Sequence, residues 1–110
     1  MHRLKKLYAV PDQHIRYAVM NAFFSTRMIE GLSVREHGVM MLSHVEKLKD
    51  LQSNFDKEET YVDVILQSLA PSYDQFIINY NMNGLEKSLH ELINMLVQYE
   101  TMIEKMHRRY

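Results

Sequence analysis

Large apolar side chains recur along this chain at intervals of three and four, and no segment sustains an alternation of period two. That periodicity predicts helices and no sheet. The clearest run is Leu85, Leu89, Leu92, Leu96, Tyr99, Ile103 and Met106, whose alternating steps keep one stripe facing a partner helix. Within it, Ser88-Leu89-His90-Glu91 matches the S-x-x-E capping box, in which serine and glutamate each satisfy an orphan backbone donor of the other. The last helix is therefore placed from Ser88 to about Arg108, with Leu85 packed ahead of it as a staple. Lys105, His107, Arg108 and Arg109 fall at its negative dipole end, where cations are favourable.

The three glycines and two prolines divide the rest of the chain into further helices. Met1 to Val10 carries Leu4, Leu7 and Tyr8 at helical spacing but is short for a stable helix, and reads as the cut end of something longer. Pro11 and Asp12 open a second segment, predicted helical over residues 13–30, with Ile15, Val19, Ala22, Phe23 and Ile29 on its apolar face and Gly31 as its stop. Ser33-Val34-Arg35-Glu36 is another capping box; the helix it opens has Val34, His37, Met41, Leu42, Val45, Leu48 and Leu51 inward. Asp56 is the predicted N-cap of a helix with Tyr61, Val62, Ile65, Leu66 and Leu69 buried, ended by Pro71. A short helix over residues 72–82 turns Tyr73, Phe76, Ile77 and Tyr80 inward and stops at Asn83-Gly84. The expected fold is all-α, a small bundle of about five helices. Residues 13–110 form its domain, and residues 1–12 a remnant of a preceding helix or lobe.

Composition narrows what such a bundle does. At 110 residues with 46% hydrophobic content it suits one small domain with a real core. Thirteen basic against fourteen acidic side chains leave a charge of −1, so no global field draws the chain to nucleic acid or an anionic membrane. Protonating the six histidines moves that figure to −1 + 6 = +5, so mild acid alters surface repulsion. The absence of cysteine removes disulfides, thiol nucleophiles and Cys-based metal sites, and suits a reducing cytoplasm. No run approaches the roughly 20 apolar residues of a membrane span, and the N-terminus lacks the apolar core of a signal peptide. Nine methionines point to adaptable packing surfaces.

Catalytic chemistry finds no foothold. H-E-x-x-H, G-x-S-x-G and G-x-x-x-x-G-K are all missing, and Glu58/Glu59 are explained by helix capping. His37 and His44, seven residues apart, share a helix face but lack a third metal ligand, so they read as interface or core-edge histidines. No enzyme activity, cofactor, metal or small-molecule substrate is expected. Lys5 and Lys6 at one end, with Arg108 and Arg109 at the other, form a candidate weak nucleic-acid contact if the termini meet. On the last helix, Leu89, Leu92, Ile93, Leu96 and Val97 belong to the chain's own core. Tyr99, Met102, Ile103 and Met106 extend about two turns past what four short helices cover, and are the candidate self-association residues.

Read together, EGLSVREHGVMMLSHVEKLKDL, YVDVILQSLAPSYDQF and SLHELINMLVQYE resemble the Gag polyprotein of plant Copia-type LTR retrotransposons. The resemblance spans nearly the whole chain. It rests on an E-G-x-S-V opening before a helix, an I-L-x-S-L-x-P-x-Y-x-x-F core and an E-L-x-x-x-L-x-x-Y-E close. It implies the capsid-like part of Gag, an all-helical unit resembling a capsid C-terminal lobe, which self-associates into shells that package RNA. Residues 33–49 would open that lobe, residues 88–106 would close it, and residues 13–31 would connect it to a preceding lobe. The chain departs from the family in three ways. Met1 stands where the W-x-x-L-x-x-x-Y pattern has tryptophan, although Leu4 and Tyr8 match. Ala70 replaces a common proline, and the zinc knuckle that binds RNA is missing along with every cysteine. The expected function is non-enzymatic self-association into homodimers or higher oligomers, with weak RNA contact at most and no membrane partner. The rival readings are a detached or domesticated adaptor for another protein and a weak RNA-binding module.

Overall fold

The computed structural model describes the backbone over residues 2–51 and 58–108, and side chains over residues 14–51 and 58–106. Five helices follow in order: α1 (His2–Ser25), α2 (Val34–Asp50), α3 (Glu58–Gln67), α4 (Asp74–Met82) and α5 (Leu89–Arg108), with a 3-10 turn, Pro71–Tyr73, before α4. The described residues contain no strand, and the fold is an all-α bundle. Central α2 packs against α1, α3 and α5, and α3 also meets α5.

Both serines cap their helices, and the full reciprocal box forms at α5. Ser33 Oγ accepts from the Glu36 amide at 3.3 Å, starting α2. At α5 the exchange is reciprocal: Glu91 N donates to Ser88 Oγ at 3.3 Å and Ser88 N donates to Glu91 Oε1 at 3.0 Å. Those bonds to Ser88, the backbone one foremost, hold the Glu91 carboxyl below its ordinary pKa. Gly84, at φ +59°, supplies the left-handed residue that ends α4. The Asp56 cap expected for α3 lies outside the described residues.

The first helix differs from expectation at both ends. Instead of spanning residues 13–30, α1 runs unbroken from His2 through Pro11 and stops at Ser25. A proline removes one i→i−4 hydrogen bond, but its φ is compatible with a helix whose flanking turns persist. At the C-terminus, Ser25 and Thr26 hydroxyls donate back to the carbonyls of Asn21 and Ala22, at 2.6 and 2.5 Å, and Arg27 Nη1 reaches Phe24 O at 2.8 Å. Those bonds satisfy the terminal carbonyls locally. Beyond them the Met28 amide donates to Ser68 O at 2.7 Å, and Glu30, expected to be helical, lies in a turn closed by Leu32 N donating to Ile29 O at 3.1 Å. α3 likewise ends at Gln67, before Pro71 is reached.

The core joins Phe23 of α1 to Val34, Met41, Val45 and Leu48 of α2, Tyr61 and Ile65 of α3, and Leu92 and Leu96 of α5. One polar pair is buried with it. His37 Nε2 lies 2.8 Å from Ser68 Oγ, and Ser68 Oγ donates its only hydrogen to Ile65 O at 2.6 Å. The imidazole therefore donates through Nε2, and burial favours its neutral form. Burial lowers the pKa of His37, and burial followed by the charge of Lys47 lowers that of His44.

These shifts set a direction for pH dependence. A histidine whose folded-state pKa is depressed contributes stability that is fully present above the ordinary value of 6.5 and is lost as the pH falls through the lowered one. The melting temperature should therefore fall between pH 7.5 and 5.5, and His44→Gln should shrink that fall. A melting temperature that rises over this interval would contradict the assignment.

Candidate interaction surface

Gly38 lets α5 approach α2 closely, since a Cβ there would stand 2.7 Å from Cδ1 of Ile93. That contact seats the inner turns of α5, where Leu89, Leu92, Ile93 and Leu96 are all buried and Val97 half-buried. The outer turns behave differently. Tyr99 is half-buried, its ring 5.5 Å from Tyr73 and 5.4 Å edge-on from Phe76. Ile103, also half-buried, lines a groove with Met28, Leu32 and Tyr73. Met102 and Met106, one turn apart, are 48% and 55% exposed.

The four candidate self-association residues are thus divided by the fold. Tyr99 belongs to an aromatic cluster of the chain's own making, Ile103 sits at a groove edge, and only the two methionines face outward. Side chains of Lys5, Lys6, Arg108 and Arg109 lie outside the described residues.

Charge in this region is dominated by glutamates that cap helices from a distance. Glu100 Oε2 accepts from the Val34 amide at 2.7 Å, closing the start of α2, and from the Tyr73 hydroxyl at a long 3.5 Å. Burial, with Glu100 next, raises the Tyr73 pKa, so its phenol stays protonated and able to donate. Glu30 accepts from Ser72 N and Oγ at 3.2 and 2.7 Å, and Glu58 accepts from Leu89 N at 3.1 Å. Each carboxylate meets the positive end of a helix or turn, an arrangement that both hydrogen bonding and the dipole favour. Sequence inspection missed these caps because donor and acceptor lie 31 to 66 residues apart, with no local signature.

The histidines offer little chemistry. His37 is committed to Ser68, and His44 Nδ1 is buried with no hydrogen-bond partner, its ring edge-on to Phe23 at 6.5 Å. Among the described residues, no group of three or more His, Asp or Glu could hold a metal ion. No described helix is long and apolar enough to cross a membrane.

Searches of curated proteins and of solved structures return no match. The family model for the gag-polypeptide of LTR copia-type matches residues 2–109, and that family is a structural, non-catalytic region of a polyprotein. Because the match covers all five helices and both capping boxes, the chain belongs to the copia-type LTR gag-polypeptide family.

Proposed function

We propose that the chain is a capsid-like Gag domain that works without catalysis, by self-association into oligomers or particle shells through the outer end of α5. The observation that carries this reading is the exposure of Met102 and Met106 on a helix whose inner turns are already committed to the core. Large flexible apolar side chains left on a satisfied helix suit a protein interface. Lys105 lies between them in sequence and is itself exposed, so the patch has the mixed apolar and charged character of a reversible contact.

Met102→Asp/Met106→Asp tests the reading. Both side chains point away from the core, so the melting temperature should stay close to that of the parent chain, as for surface substitutions within about 0.5 kcal/mol. The concentration-dependent increase in mass should disappear. A double variant that associates as the parent does would place the interface elsewhere.

A further inference from the structure

α4 turns one side inward and leaves the other open. Phe76 and Tyr80, one turn apart, are buried, while Gln75, Ile78, Asn79 and Met82, spaced i, i+3, i+4 and i+7, form an exposed stripe along the helix. Ile78 is 49% exposed and Met82 80%. Residues 75–85 contain no charged side chain; the nearest formal charges are Asp74 before them and the neighbouring Glu86 and Lys87 after them. Large apolar side chains set among uncharged polar ones have the composition of an interface core rather than of a solvated face.

The amides on the stripe show what it fits. Gln75 Nε2 donates to Asn79 Oδ1 at 3.2 Å. That bond leaves Gln75 Oε1, an acceptor, and Asn79 Nδ2, a donor, without a partner among the described residues. The two unspent groups are complements of one another. Turned through a two-fold axis, the stripe offers each of them its match, brings apolar surface onto apolar surface, and carries no formal charge to repel its copy. A basic or acidic partner finds no counter-charge on it.

We infer that the Gln75–Met82 face of α4 pairs with the same face of a second copy, as a contact separate from the outer end of α5. The two helices cross antiparallel near Ile78, Asn79 Nδ2 of each copy donates to Gln75 Oε1 of the other, and each Met82 lies over the stem of the opposite Gln75. What this adds rests on the self-association reading above: one isologous contact is satisfied at two copies, and a second on the same chain lets dimers join into larger assemblies. A nine-residue helix, about 13 Å long, is too short to bury the roughly 1,200 Å² of a stable interface. Between two free copies the α4 contact is therefore weak, and it takes effect where α5 contacts already hold several copies together at high effective concentration.

Sedimentation velocity of the full chain and of two charged variants tests this. Ile78→Lys/Met82→Lys and Ile78→Asp/Met82→Asp each give both copies of the face the same charge. Thermal melting checks that each is folded; should a double variant melt early, Met82→Lys alone, at the more exposed position, takes its place and should likewise deplete species larger than a dimer. The parent should form such species as concentration rises. Each double variant should halt at a dimer, and their equimolar mixture should regain the larger species, most strongly at low salt, because opposite charges then meet across the pair. Mixing restores growth only if the face meets its own copy. A folded variant that grows like the parent, a mixture that stays dimeric, or a parent that itself halts at a dimer overturns the α4 pairing and leaves the α5 contact standing. Met102→Asp/Met106→Asp that still forms dimers, lost on adding Ile78→Lys/Met82→Lys, supports the α4 pairing and overturns the α5 contact. A parent monomeric at every concentration overturns both.

Discussion

Phe23→Ala should destabilise the chain by about 3–5 kcal/mol, the range for deleting a buried aromatic ring. Phe23 is fully buried, and no other described side chain of α1, over residues 14–25, is buried. Its ring stands 6.0 Å edge-on from Tyr61 and 6.5 Å from His44, so one side chain ties α1 to both α2 and α3. Small domains hold about 5–15 kcal/mol in all, so this single loss removes a large fraction of the total. Urea denaturation should show one cooperative transition at a much lower midpoint. A change under about 1 kcal/mol, or a separate early transition for α1, would mean that α1 is not part of the cooperative core.

Gly38→Leu should also destabilise the chain, by the opposite mechanism. In an ordinary helix interior, replacing glycine gains up to about 1 kcal/mol of helix propensity. Here even a Cβ would come within 2.7 Å of Ile93 Cδ1 and 3.1 Å of its Cγ2, so a leucine requires Ile93 to leave its place or α5 to move off α2. Overpacking of this kind costs about 1–3 kcal/mol or more. Adding Ile93→Ala should recover part of the loss, because it vacates the space the leucine needs, and a double-mutant cycle measures that coupling. Gly38→Leu that leaves the denaturation midpoint unchanged would show that the α2–α5 contact is looser than described.

The contrast between these residues indicates what was legible in the chain itself. Local signals read correctly: both S-x-x-E boxes cap their helices, Gly84 ends α4, and the stripe from Leu89 to Leu96 is core. Each depends on residues within a turn or two of one another. The glycines read as breaks between helices, yet Gly38 lies inside α2, and its use lies in a side chain 55 residues away on α5. The end of α1 was misplaced for the same reason, because the bond from Met28 N to Ser68 O is tertiary and has no local trace. At the candidate interface, periodicity found the outward stripe of α5 but could not separate Tyr99, held by Tyr73 and Phe76, from Met102 and Met106.

Weight-average mass, measured by light scattering on the full chain across a hundredfold range of concentration, tests the central claim most directly. Self-association requires a mass that starts near the 13.2 kDa of one copy and climbs steadily with concentration. A value that stays at 13.2 kDa throughout would contradict it.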